Sequence, residues 1–192
     1  ELGLSKLIDH RALELVIELL RATPNRKLAL NVSALSTTDG HWTDALEALT
    51  GKDRGLTERL IVEITGSAAI PDMEATAAFV SALKNAGCMV ALDNFGAGCA
   101  SFRSLRNLGV DMVKIDGSFI ENLGQDKKDE TLVQTLVELA QSFGFATVGE
   151  WVSDARSVEL LEKAGVSYLQ GDFFGAPELY EDKSAEAEKS AS

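Results

Sequence analysis

Short runs of Val, Ile and Leu alternate along the chain with stretches in which apolar residues recur at helical spacing. Six such runs each finish in a polar residue, and they are residues 28–33, 60–65, 89–94, 112–116, 146–150 and 166–171. Residues 132–143 are typical of the intervening stretches, because their apolar positions repeat at intervals of three and four and stop at Gly144. The alternation predicts parallel βα units whose apolar strands are covered by helices.

The two ends of the chain differ in character. Residues 4–21 predict an amphipathic helix that ends at a Pro24-Asn25 turn. The apolar side chains expected to face inward are Leu7, Ile8, Leu15, Val16, Leu19 and Leu20. Residues 1–178 are predicted to form one domain, and residues 179–192 an acidic tail that is frayed or disordered.

The number of strands bears on the architecture. Six βα units fall short of a closed eight-stranded (β/α) barrel, which usually needs about 250 residues, whereas this chain has 192. Two architectures fit the pattern: an open doubly wound sheet, or a barrel without its first two strands.

Composition narrows the classes of function. Thirty Asp and Glu against 18 Lys and Arg give a formal net charge of −12, which disfavours attraction to DNA, RNA or anionic lipid. No apolar run reaches the roughly 18 residues that span a bilayer. The two cysteines are too few for a disulfide framework. We therefore expect a cytoplasmic protein.

Polar side chains at the strand ends are the candidates for chemistry, because the carboxyl ends of parallel strands meet at one edge of a sheet. Asn31, Glu63 and Asp93 offer oxygen donors suited to magnesium or manganese. Lys114 could stabilise a phosphate, and Glu150 could orient or deprotonate water. The set outlines a metal-dependent phosphoester site. The simpler alternative is that these residues only cap strands and helices.

Other kinds of site have less support. Residues 96–101 followed by Asp116 resemble a dinucleotide-binding fingerprint, but Ser101 stands where the third glycine belongs, so a tight glycine-permitted loop is the better interpretation. His10 and His41 have no Cys or His partners at zinc-ligand spacing. Neither histidine lies near Ser101, which leaves a serine triad unsupported.

Taken together, six motifs resemble the EAL domain family. In order and spacing they are Asn31-Val32-Ser33, Glu63-Ile64-Thr65, LDNFGAG at 92–98, Val113-Lys114-Ile115-Asp116, Gly149-Glu150, and Gln170-Gly171 with Pro177. The resemblance extends from residue 1 to about 177. It implies a TIM-barrel-like α/β fold, here incomplete, with about six parallel strands and the first two barrel strands missing. It also implies a bacterial phosphodiesterase, or a degenerate receptor, for cyclic di-GMP.

The resemblance assigns roles to residues. Asn31, Glu63 and Asp93 would be metal ligands, and Lys114 and Glu150 the vestigial catalytic residues. The implied ligand-binding residues are Asn94, Asp116, Gln170 and Pro177.

The departures from the family pattern lower the expected activity. The signature Glu and a phosphate-contacting Arg belong to strands that would precede residue 1. Asn94 stands where the family has a second Asp, Gly66 where it has a second Glu, and Trp151 and Ser153 where it has Gly and Glu. Because a second metal ion depends on carboxylate charge, we expect magnesium or manganese to bind weakly or not at all, and hydrolysis to be very slow or absent.

Three functions remain open at this point. The first is a non-catalytic receptor or scaffold in cyclic di-GMP signalling. The second is an active metal-dependent cyclic di-GMP phosphodiesterase whose first strands lie outside this sequence, and the third is a protein-interaction module that binds no nucleotide. Since strands 28–33 and 166–171 would each lack a neighbour, we expect preceding strands, a protein partner or a second copy to cover them.

Overall fold

Six parallel strands form one sheet in the computed structural model, which describes residues 2–65, 72–97 and 106–180. The strands are β1 (Leu28–Val32), β2 (Leu60–Thr65), β3 (Met89–Phe95), β4 (Met112–Ile115), β5 (Ala146–Gly149) and β6 (Tyr168–Leu169). Each strand pairs with the next one along the chain, whereas a doubly wound sheet reverses its strand order. The sheet therefore curls into an incomplete barrel, and the doubly wound alternative is wrong.

Helices cover the outer face of this sheet. They are α1 (Leu2–Ala22), α2 (Ala34–Thr37), α3 (Gly40–Thr50), α4 (Arg54–Thr57), α5 (Met73–Ala86), α6 (Lys127–Ser142) and α7 (Ala155–Ala164), with a 3-10 helix at Gly117–Phe119. Aspartate side chains that accept a backbone N–H begin five of the helices, at Asp39, Asp53, Asp72, Asp126 and Asp154. After β6, residues 170–180 contain turns and no helix.

The orientation of α1 differs from the expected one. Leu13, Ile17 and Leu20 are its fully buried side chains. The exposed apolar side chains are Leu4, Leu7, Ile8 and Leu15, so the inward placement predicted for the last three is wrong. Apolar residues occur on both sides of this helix, and its packing against β1 and α3 decides which side is buried.

Alternation along the strands separates two apolar layers. The outer face carries the larger one, which joins sheet to helices and includes Val62, Ile64, Val90, Leu92, Val113 and Ile115. The inner face carries a smaller layer of Ala91, Met112 and Val148, with Ile61, Met89 and Ala146 packed against it. At the two edge strands the inner-face residues Ala29 and Tyr168 are exposed.

Several predicted features lie outside the described residues. Gly66, the glycine-rich loop beyond residue 97 with Ser101, and the acidic tail from residue 181 onward are among them.

Candidate functional site

A buried lysine is the centre of the polar group on the inner face. Lys114 is 4% exposed. Its Nζ donates to Glu63 Oε2 at 2.7 Å and lies 2.8 Å from Glu150 Oε1. Asp93 Oδ1 is 3.6 Å away from the same nitrogen. The structure thus brings together four of the predicted site residues around one ammonium group.

The strand period explains why these four side chains meet. Each lies two residues beyond a member of the inner apolar layer, and residues two apart on a strand share a face. The pairs are Ile61 and Glu63, Ala91 and Asp93, Met112 and Lys114, and Val148 and Glu150. Parallel pairing places these residue pairs side by side on neighbouring strands. An apolar layer is therefore followed by a charged layer toward the carboxyl ends of the strands.

Three carboxylates share one cation in this layer. Burial alone lowers the pKa of Lys114, but the hydrogen bonds that its ammonium donates to Glu150 and Glu63, together with their negative charges, outweigh this effect, so the pKa lies above its ordinary value. Burial raises the pKa of Glu150, and the neighbouring Asp93 carboxylate adds to this increase against the opposing effect of Lys114. The lysine therefore stays charged, while the raised pKa of Glu150 favours the protonated form of that carboxyl group.

Asp93 and Asn94 have different surroundings although they are adjacent. Asp93 Oδ1 is buried and has no hydrogen-bond partner among the described residues, and its Oδ2 accepts a hydrogen bond of 3.3 Å from Asn94 Nδ2. Asn94 is exposed and has a φ of 58°, a backbone conformation that Asn tolerates better than most residues. The neutral amide thus lies beside the carboxylate as a hydrogen-bond donor.

Asn31 lies farther from the centre of the group. It pairs in register with Glu63 and is exposed on the edge strand β1. The loop after it is held by the buried Asp9 of α1, whose Oδ2 accepts hydrogen bonds from Ser33 N, Ser33 Oγ and Ser36 Oγ at 3.1, 2.5 and 2.7 Å. Asp9 thereby fixes the carboxyl end of β1, a role that sequence reasoning missed because a lone Asp on a helix carries no distinctive signal.

The geometry does not fit a preformed divalent-metal site. Among the residues that the structure describes, no three His, Cys, Asp or Glu side chains are grouped as metal ligands. The physical reason is that the Lys114 ammonium lies between the carboxylates and supplies the positive charge there. The metal-ligand role of Asn31, Glu63 and Asp93 stays a prediction.

The remaining predicted ligand contacts fall into two groups. Asp116 caps the 3-10 helix, because its Oδ1 accepts hydrogen bonds from Ser118 N at 2.9 Å and Ser118 Oγ at 2.5 Å. This contact matches the capping alternative. Gln170 and Pro177 instead line a cleft of about 660 Å³ that also borders Glu150.

The wall of this cleft depends on a close backbone approach. Gly171 lies against Val152, and a Cβ atom on Gly171 would be 2.3 Å from Val152 N and O. Val152 N donates to Gln170 O at 3.0 Å, and Phe173 N donates to Val152 O at 3.0 Å. Only glycine permits this approach, which explains the Gln-Gly pair at this position.

Trp151 is one of the cleft residues to which sequence reasoning assigned no role. It is 60% exposed and adopts a φ of 54°. Glu121, Asp172 and Phe174 also line the cleft and were not predicted. The available signal was the replacement of a family glycine by tryptophan, which is hard to interpret without the fold.

Comparisons with known proteins agree with this architecture. The EAL domain family matches residues 1–177. Cyclic di-GMP phosphodiesterase PdeF of Escherichia coli K12 is 30% identical over 182 residues, which cover 93% of this chain and 24% of PdeF. Cyclic di-GMP phosphodiesterase PdeB of Shewanella oneidensis is 37% identical over 116 residues, which cover 60% of this chain and 14% of PdeB. The chain thus spans a quarter or less of the length of these curated relatives.

Solved structures share the fold. The MucR phosphodiesterase of Pseudomonas aeruginosa in complex with c-di-GMP superposes with a TM-score of 0.84 at 29% identity, covering 91% of this chain and 78% of that one. The FimX EAL domain from the same species, bound to c-di-GMP, has a TM-score of 0.85 at 26% identity, covering 92% of this chain and 72% of that one. The predicted resemblance is confirmed.

Proposed function

The chain belongs to the EAL domain family, and from this premise we propose that it is a non-catalytic receptor or scaffold in bacterial cyclic di-GMP signalling. The observation that carries the proposal is the position of Lys114, whose ammonium contacts Glu63 and Glu150 and approaches Asp93. A cation supplied by the protein neutralises the carboxylates that a catalytic metal would need. Any divalent ion has to compete with a buried lysine.

The replacement of a carboxylate by Asn94 supports the same proposal. An amide can offer one oxygen but no net charge, and its nitrogen here donates to Asp93 instead. Two-metal phosphoester cleavage depends on carboxylate charge to hold its two metal ions about 3.5–4 Å apart. We therefore propose that magnesium or manganese binds weakly, and that Lys114 and Glu150 are vestigial catalytic residues.

Nucleotide binding can outlast the loss of hydrolysis, because it needs contacts and no activated water. Gln170 and Pro177 line the cleft beside Glu150, and they are the proposed contacts with cyclic di-GMP. Asn94 and Asp116 are further candidates near the strand ends. The two structural relatives named above are complexes with c-di-GMP, which supports a nucleotide ligand for this chain.

An active phosphodiesterase is the second candidate. The observation that favours it is Asp93 Oδ1, a buried carboxylate oxygen with no hydrogen-bond partner in the part of the chain that the structure describes, which a cation would satisfy. The homology to PdeF and PdeB is consistent with this alternative. In that case Lys114 would have to release Glu63 and Asp93 when the ion enters.

A protein contact is the third element of the proposal. β1 pairs only with β2 and β6 only with β5 in the described sheet, and the exposed Leu4, Leu7 and Ile8 lie on the helix that packs against β1. Preceding strands, a partner protein or a second copy would cover this region. No helix in the described ranges is long and apolar enough to cross a membrane. A cytoplasmic location is proposed.

The deciding experiment has two arms. Isothermal titration with cyclic di-GMP, with and without magnesium, is expected to show binding that changes little when the ion is added. Incubation with excess magnesium or manganese is expected to yield no linear dinucleotide. Metal-dependent hydrolysis that is lost in Glu63→Ala and kept in Glu159→Ala, a control on the exposed face of α7, would establish the phosphodiesterase. If cyclic di-GMP binds neither with nor without magnesium, the result would favour the third function, a protein-interaction module that binds no nucleotide.

A further inference from the structure

Trp151 adopts a backbone conformation that disfavours its side chain. Its φ of 54° lies in the left-handed region, which bulky residues rarely adopt and which glycine adopts without steric cost. The neighbouring Glu150 and Val152 are held by Lys114 and by the Gln170 backbone. Strain of this kind persists where the surrounding structure over-determines it, and it concentrates at sites that bind ligands.

The indole ring of Trp151 packs against a glycine. It lies against Gly117, where an added Cβ atom would be 2.1 Å from Trp151 Cγ and Cδ2. One side of the ring thus covers the glycine, while 60% of the residue stays exposed at the cleft of about 660 Å³. A large, rigid aromatic surface is therefore presented to solvent beside Glu150 at little cost in side-chain entropy.

The charge of the cleft decides which part of a nucleotide fits there. Its charged lining residues are all acidic, namely Glu121, Glu150 and Asp172. Carboxylates repel a phosphate but accept hydrogen bonds from N–H donors. Guanine presents the N1–H and N2–H₂ donors side by side on one edge, whereas adenine has an acceptor at N1. The cleft thus favours a guanine base over the phosphate groups.

From these observations, and on the proposed receptor function, we infer that Trp151 is a stacking platform for a guanine base of the bound cyclic dinucleotide. The strained backbone holds the ring over Gly117 and leaves its other face free for the base. Stacking of a base on an aromatic side chain is sequence-tolerant, so the acidic residues of the cleft supply the preference for guanine.

Tryptophan fluorescence tests this inference directly. The chain contains two tryptophans, and Trp42 is fully buried against Phe79. Cyclic di-GMP is expected to quench the emission of the exposed Trp151 and to protect it from acrylamide. Trp151→Phe removes the signal that the nucleotide quenches. Cyclic di-AMP is expected to bind at least about tenfold more weakly, the factor that corresponds to one weakened hydrogen-bonded contact.

Affinity measured by isothermal titration provides the second readout. Trp151→Gly is expected to weaken cyclic di-GMP binding by about 5- to 150-fold, the range for loss of one aromatic base stack. Its melting temperature is expected to stay near the wild-type value, because glycine relieves the strained φ. Gly117→Ala, which pushes the ring away without removing it, should also weaken binding. Tyr180→Ala, an exposed aromatic outside the cleft lining, is the matched control and should bind normally.

The outcomes separate this inference from the receptor proposal. If cyclic di-GMP binds but leaves the fluorescence unchanged, or if Trp151→Gly binds as tightly as wild type, the stacking role of Trp151 is wrong. The receptor proposal is unaffected by either result. Equal affinity for cyclic di-AMP overturns the assignment of guanine. If the wild-type chain binds no cyclic di-GMP in titration, both proposals fail.

Discussion

The two faces of the sheet differ in composition although the same strands form them: the outer face is apolar, and the inner face carries a charged group. The outer face joins the strands to the helices through one continuous apolar layer whose members are almost fully buried. In the described part of the chain, the inner face carries the smaller layer of Ala91, Met112 and Val148, and the charged group around Lys114 lies next to it toward the carboxyl ends of the strands. Its margins at Ala29 and Tyr168 are open to solvent.

This difference separates stability from chemistry. A continuous apolar layer is the main source of folding free energy. Charged groups such as Lys114 and Glu63 are costly to bury, and they are tolerated here because they neutralise one another. The outer face can therefore stabilise the fold while the inner face keeps the charged group around Lys114. Substitutions on the two faces, and at the contacts that join them to the helices, test this division.

Removing the central cation should have the largest effect. Lys114→Met leaves Glu63, Asp93 and Glu150 close together and uncompensated, so we expect the free energy of unfolding to fall by about 3–5 kcal/mol. Urea denaturation measures the change. The matched control is Lys84→Met, which breaks the more exposed pair with Asp111 and should cost no more than about 1 kcal/mol. Similar losses for both variants would contradict the special position of Lys114.

Truncations in the two apolar layers compare the faces directly. Leu92→Ala opens a cavity in the outer layer, where Leu92 is fully buried, and should cost about 2–5 kcal/mol. Met89→Ala on the inner face removes a half-buried side chain and should cost less than half as much. Denaturant midpoints of the two variants provide the measurement. A larger loss at Met89 would show that the inner layer stabilises the fold more than its area suggests.

The link between α1 and β1 should have an intermediate effect. Asp9→Ala leaves three hydrogen-bond donors without their acceptor, and unpaired buried groups of this kind cost about 1–3 kcal/mol. Asp44→Ala on the exposed side of α3 should stay within about 0.5 kcal/mol of wild type. Thermal and urea unfolding of both variants measure the difference. Equal stability of the two would assign Asp9 no structural role.

The pH dependence of Glu150 should be the smallest effect. Because the fold raises the pKa of Glu150 above its ordinary value of 4.5, the folded state binds this proton more tightly than the unfolded state does. Its contribution to stability is complete below pH 4.5 and is lost as the pH rises through the raised pKa. Glu150→Gln abolishes this loss, so its stability relative to wild type should increase with pH above 4.5. Unfolding curves of both proteins, measured at intervals of about one pH unit from about pH 4 to about pH 8, test whether this difference in stability increases with pH. A constant difference would contradict it.

The sequence was sufficient for the strands and for most of the candidate site. Alternating apolar runs predicted all six strands, because burial on both faces requires continuous Val, Ile and Leu, and the polar residue at each strand end was already conspicuous. The convergence of parallel strand ends then implied that Glu63, Asp93 and Lys114 lie at one edge of the sheet. A single chain could not indicate which side of α1 is buried, because both sides carry apolar residues and only the contact with β1 and α3 selects one.

Only the tertiary structure decided how the charges are arranged and where Trp151 lies. The carboxylates of Glu63, Asp93 and Glu150 come within 3.6 Å of the Lys114 ammonium because the sheet curls, and no spacing along the chain encodes that distance. The contact of the indole with Gly117 joins positions 34 residues apart, one following β5 and the other in the 3-10 helix, and they meet only in the folded chain. Local sequence determines which elements form, whereas packing between distant elements determines which side chains face one another.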